Sequence, residues 1–135
     1  MKKLLTTITF LVISLGAMAQ AKLKPTPATG LLTNASYAYA SVYAPIKSTG
    51  FSPTAVTIQL NLVKGTGTPG GYASIHGSVD GITYEKIGTD SVAISNTNTQ
   101  LKIWKLTTHA YPYYRVRLIG SGTQSTAFNA WVHVN

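Results

Sequence analysis

Three carboxylates, Asp80, Glu85 and Asp90, are all that the 135 residues offer for acid–base work. A glycosidase-type mechanism needs two such groups set across a cleft. These three follow one another closely, and Asp80 sits in an Asp-Gly turn. A calcium site could draw on Asp80, Asp90 and the Asn96/Asn98 turn, but the looped Asp-x-Asp spacing is missing. His76, His109 and His133 could in principle hold zinc as neutral imidazoles. None forms an i, i+2 or i, i+4 pair with another. His76 and His133 are expected on strand faces turned away from the core and His109 in a loop, all solvated. There is no cysteine, no nucleophile elbow, no phosphate loop and no dinucleotide fingerprint. We therefore expect no catalytic residue, no metal and no cofactor.

The aromatic residues carry more information. Tyr37, Tyr39 and Tyr43 share one face of a strand, with Ala38, Ala40, Val42 and Ala44 on the other. Tyr111, Tyr113 and Tyr114 precede Arg115 and Arg117. Trp131 alternates with Asn129 and His133, opposite the apolar face of its own strand. Aromatic faces beside amide and guanidinium donors suit sugar rings or a protein partner. The competing reading is that the tyrosines cap a small core with their hydroxyls in water. If Tyr114, Val116 and Leu118 face the core, Arg115 and Arg117 face outward together. They could then clamp phosphate or carboxylate groups of a polymer, or pair across strands with Glu85 or Asp90.

The net charge is +8, of which Lys2 and Lys3 contribute two. The remainder favours anionic surfaces in general. The lysines at 22, 24, 47, 64, 86, 102 and 105 stand singly, as on an ordinary solvated surface. No specific nucleic-acid partner is expected, and self-association is left open.

Strands must position these side chains. Ala55 to Val63 alternates Val56, Ile58, Leu60 and Leu62 with Thr57, Gln59 and Asn61, a half-buried strand. The glycine-rich run Lys64 to Gly71 reads as a turn or mobile loop. Tyr72 to Val79 and Ile82 to Ile87 flank Asp80-Gly81, the signal for a two-residue hairpin with positive φ at both central positions. Ser91 to Ile94, Leu101 to Leu106, Tyr113 to Ile119 and Phe128 to Val134 complete the set. The spacing predicts an all-β, two-layer antiparallel β-sandwich, jelly-roll-like, of about seven to nine strands. Val56, Ile58, Leu60, Leu62, Ile75, Val79, Val116, Leu118, Phe128, Val132 and Val134 are the expected core.

Lys2-Lys3, the apolar run Leu4 to Leu15 and Ala17-Met18-Ala19 read as a secretion signal over residues 1–19, cleaved before Gln20. Residues 20–36 read as a flexible leader and 37–135 as the sandwich domain. The mature chain is expected to carry no transmembrane segment and to be periplasmic, cell-surface or secreted.

Gly77-Ser78-Val79-Asp80-Gly81-Ile82-Thr83-Tyr84, after its Gly-Thr-rich loop, is similar to a "GSxDGxxY" hairpin of small β-sandwich proteins. Tyr113-Tyr114-Arg115-Val116-Arg117 with Gly120-Ser121-Gly122-Thr123-Gln124-Ser125 is similar to their closing "YYRVxxxGxGTxS" strands. The pairing resembles accessory virion proteins of tailed phages and prophages and, more loosely, discoidin-like binding modules. The resemblance implies a structural or adhesive sandwich module without turnover, on the virion if phage-encoded. The secretion signal departs from an ordinary virion protein, which is assembled in the cytoplasm. A carbohydrate-binding module reading cell-surface glycans through Tyr37, Tyr39, Tyr43 and Trp131 is the alternative.

Overall fold

In a computed structural model of the chain, residues 20–34, 36–44 and 55–134 are described. The expected signal segment, residues 1–19, lies outside them. Among the described residues ten strands run in order: β1 (Gln20–Lys22), β2 (Lys24–Thr26), β3 (Leu31–Thr33), β4 (Tyr37–Tyr43), β5 (Val56–Gly67), β6 (Gly70–Ser78), β7 (Glu85–Ala93), β8 (Thr99–Leu106), β9 (Tyr113–Ser121) and β10 (Gln124–Val134). No helix among the described residues is long and apolar enough to cross a membrane.

The strands form two antiparallel sheets. In one, called the β10 sheet, the order is β1-β10-β5-β8, with β3 also paired to β10. β1 and β3 lie end to end along the same edge of β10, at Trp131–His133 and Ser125–Ala127. In the other, the β9 sheet, the order is β2-β4-β9-β6-β7. Alternation decides which side chains go inside. Along β5, Val56, Ile58, Leu60 and Leu62 are buried while the intervening Thr57, Gln59 and Asn61 are half-buried. Along β9, Tyr114, Val116 and Leu118 point inward, and along β10 Phe128, Ala130 and Val132 do so. The two inner faces meet as a single core that also holds Ala38, Ala40, Ala73, Ile75 and Trp104. Burying each large aliphatic side chain contributes about 1.5–3 kcal/mol.

The sandwich architecture follows the spacing of the sequence, and several local expectations change. Within the stretch expected to be a flexible leader, residues 20–34 cross between the sheets, contributing β1 and β3 to one and β2 to the other. Leu23 and Leu32 anchor them in the core, which a reading dominated by Pro25, Pro27 and Gly30 overlooks. These three short strands bring the total above the seven to nine expected. The run Lys64 to Gly71 is mostly strand. β5 continues to Gly67 and β6 starts at Gly70, with Gly67 and Gly71 at φ 77° and 109°.

Asp80-Gly81 is not a two-residue hairpin. The last β6–β7 rung joins Gly77 to Glu85, so a longer loop intervenes. Val79 consequently leaves the core, at 73% exposure, and Val134 is only half-buried. Ile82–Ile87 and Ser91–Ile94 are not separate strands either. β7 joins them, bulging around Gly88 (φ 64°) where the register slips between Ser74 and His76.

Candidate functional site

Directly opposed residues of an antiparallel pair share a face of the sheet. The register of the β9 sheet therefore lays out its outer surface in rows. One row runs Lys24–Ser41–Arg115–His76–Lys86 across all five strands. The next runs Tyr39–Arg117–Ser74–Ser91, and a third Tyr37–Ile119–Tyr72–Ala93. On the other side of Arg115, Tyr43–Tyr113–Ser78 forms a fourth. With Tyr114, Val116 and Leu118 in the core, Arg115 and Arg117 project together from the opposite side of β9.

The Arg115 guanidinium stacks between two rings, 4.6 Å from the centre of Tyr39 and 3.6 Å from that of Tyr84. Its Nε donates to Ser41 Oγ at 3.2 Å. Arg117 lies 5.2 Å from the centre of the Tyr37 ring. Such contacts contribute about 0.5–2 kcal/mol each and fix the planes of the guanidiniums. Tyr43 and Tyr113 pack ring to ring at 4.8 Å. Tyr37 and Tyr43 stay more than half exposed, at 58% and 59%, and Tyr72 is also exposed.

Tyr84 reaches Arg115 because of the loop before it. Asp80 Oδ1 accepts hydrogen bonds from the backbone N–H groups of Ile82 and Thr83, each at 2.8 Å, and from Ser78 Oγ at 2.7 Å. These donors, the Ile82 amide foremost, hold the Asp80 carboxyl at about 2. Gly81 adopts φ 73°, and a Cβ there would lie 3.0 Å from the Tyr113 ring. Gly81→Val should therefore destabilise the protein by roughly 1 kcal/mol or more, through backbone strain and displacement of Tyr113. An unchanged melting temperature would contradict this account of the loop.

The arginines do not pair with acids. Glu85 accepts from the Tyr111 hydroxyl, and Asp90 Oδ2 pairs with Lys102 Nζ at 2.9 Å. Asp80 is occupied by its own loop. All three side-chain carboxylates of the chain are thus engaged away from Arg115 and Arg117. The bond to Glu85 also raises the Tyr111 pKa above its ordinary value of 10.0.

Two histidines are buried rather than solvated. His76 points outward as expected, but it lies between Arg115 and Lys86 with its Nε2 3.0 Å from Ser74 Oγ. Burial, and then the charges of Arg117, Arg115 and Lys86, hold its pKa below the ordinary 6.5. His109 is drawn into the core end, stacked on Tyr114 with its Nε2 3.1 Å from the Ala44 carbonyl oxygen. No group of three metal-ligating side chains occurs among the described residues.

Tyr37, Tyr39, Tyr43, Tyr113, Arg115 and Arg117 thus share one surface. Tyr111 and Trp131 do not. Tyr111 lies on the inner side of β6, against the face of Gly77 that carries no side chain, with Tyr114 edge-on to it. Trp131 lies on the outer face of the β10 sheet, beside Lys22 and Gln59, on the far side of the molecule. Tyr72 and Tyr84 join the cluster without having been singled out, and His76, considered only as a metal ligand, joins it too. The period of β6, which put His76 on the outer face, could have placed Tyr72 there as well. Tyr84 depends on how the loop folds back, which strand alternation does not reveal.

No protein-family model matches the chain, and no curated protein matches its sequence. Among solved structures it is similar to the PBSX exported protein XepA, with a TM-score of 0.53 and 13% identity. That likeness covers 87% of this chain and 37% of XepA, so the chain spans well under half of that protein's length. It is also similar to a family 16 carbohydrate-binding module, with a TM-score of 0.44 and 12% identity over 85% of this chain and 83% of that one. For a family 4 carbohydrate-binding module the values are 0.41, 18%, 73% and 71%. At such identities the XepA likeness speaks to fold alone, and that fold is the antiparallel two-sheet sandwich.

Proposed function

We propose that this chain is an exported, non-catalytic module that binds saccharide chains on the outer face of its β9 sheet. The observation that carries the reading is the Arg115 guanidinium held between Tyr39 and Tyr84, on a face with further tyrosines where no carboxylate pairs with the arginines. Ring faces stack on the apolar sides of sugars, while guanidinium, serine and phenol groups bond to their hydroxyls. Rigid, stacked donors lose little entropy on binding. The face offers no acid–base pair that could cleave what it holds.

A second reading, a structural or adhesive role of virion type, is favoured by a different surface. Leu31, Val63, Leu101 and Ile103 are exposed on the outer face of the β10 sheet, where Trp131 also lies. An apolar surface of that kind suits a protein contact.

Co-sedimentation of the purified chain with insoluble galactan, xylan and pectin separates the two. Tyr39→Ala with Tyr84→Ala should weaken polysaccharide binding by about tenfold, since stacking contacts contribute about 0.5–1.5 kcal/mol each. Trp131→Ala should leave it unchanged. Binding lost with Trp131→Ala and kept in the tyrosine variant would overturn the assignment to the β9 sheet.

A further inference from the structure

The row Lys24–Ser41–Arg115–His76–Lys86 concentrates basic side chains along one line perpendicular to the strands. Each rung advances about 4.8 Å, so Lys24, Arg115 and Lys86, on alternate strands, root about 10 Å apart. That is close to the length of a disaccharide unit in an extended glycan. Tyrosines flank the row on both sides: Tyr39 opposite Arg117 and Tyr37 one row further, with Tyr43 and Tyr113 on the other side.

A second observation points the same way. The Arg117 Nε is shielded from solvent and has no hydrogen-bond partner among the described residues. A buried, unpartnered donor on a cationic group is costly, and an anion on this face would offset that cost through its charge rather than by bonding to the Nε itself. His76 sits within the same row, and its pKa is lowered first by burial and then by the charges of Arg117, Arg115 and Lys86.

We propose that the saccharide held on this face is polyanionic, and that it lies across the strands with its acidic groups on Lys24, Arg115 and Lys86 and its sugar rings against the flanking tyrosines. The inference rests on the saccharide-binding reading and narrows it to one class of chain. Carboxylate and sulfate share the needed chemistry, because each offers paired oxygens to a guanidinium edge. The tyrosine platforms and the expected export favour a glycan over a nucleic acid.

Affinity electrophoresis of the purified chain tests this, using gels that contain hyaluronate, dextran sulfate, neutral dextran or single-stranded DNA. Hyaluronate or dextran sulfate should retard the protein at a concentration about tenfold lower than dextran, and the effect should fade at high salt. Whichever of the two acts at the lower concentration identifies the acidic group. Arg115→Gln with Arg117→Gln should remove the preference. Lys24→Ala with Lys86→Ala, two exposed edge positions, should reduce it severalfold even if the arginine variant fails to fold. Equal retardation by dextran and hyaluronate would overturn the polyanion inference while leaving the saccharide reading intact. Retardation by no polysaccharide would overturn both. Tighter binding of single-stranded DNA than of either acidic glycan would replace the glycan with a nucleic acid.

Discussion

Replacing Leu32 by alanine is expected to destabilise the sandwich by about 2–5 kcal/mol, the range for emptying a fully buried leucine site. Leu32 is 0% exposed, and β3 holds it against the core from the edge of β10. Its neighbour Leu31 points outward at the same edge, so Leu31→Ala should change stability by no more than about 0.5 kcal/mol. Urea denaturation of the two variants checks the contrast. A flexible leader would give two small effects, and two small effects would detach residues 20–34 from the fold.

Gly71→Ala is the other change with a large expected effect. Gly71 has φ 109°, a conformation that residues with a Cβ rarely adopt. Backbone strain of this kind costs about 1–3 kcal/mol. A methyl there would also collide with the carbonyl oxygen of Ile119, 1.9 Å from the ideal Cβ position. The strand pair must open, and this is where β6 meets β9 through the Gly71–Gly120 and Tyr72–Ile119 rungs. Thermal melting should show a loss beyond the strain alone. Gly88→Ala makes the comparison useful: its φ is 64°, but nothing lies within 4 Å of the added carbon. It should show the strain without the collision, and equal losses in the two variants would contradict the clash.

These two sites show what a sequence conveys and what it does not. Strict period-two patterning in β5, β9 and β10 is set by burial on one face, so their inward residues can be read directly from spacing. Leu32 lies in a strand of three residues and Leu23 between two others of that length, too short to display a period. Prolines and a glycine dominate that stretch and suggest a linker. The Gly67 and Gly71 positions show the converse limit. Glycine marked them as special, but whether it served a flexible loop or tight strand geometry depended on partners far along the chain. Val79 was misplaced for a related reason: the Asp80 carboxylate organises a longer loop than the Asp-Gly signal suggests.

The binding face was partly legible. Spacing of two put Arg115 and Arg117 on one side of β9, and Tyr37, Tyr39 and Tyr43 on one side of β4. Their convergence needed the β4–β9 register, which pairs Tyr39 with Arg117 and Ser41 with Arg115. Trp131 has the same outward alternation as the tyrosines, but it belongs to the other sheet. Period alone does not distinguish the two outer faces of a sandwich.

Amide chemical-shift mapping of the isotopically labelled chain, titrated with hyaluronate oligosaccharides, tests the central claim most directly. Perturbations are expected along Tyr37–Tyr43, Tyr72–Ser78 and Tyr113–Ile119, with the Tyr84 amide among them. The outer residues of the β10 sheet, Gln59, Ile103 and Trp131, should stay unchanged. Shifts centred on Trp131 and Ile103, with β4 and β9 silent, would contradict the account.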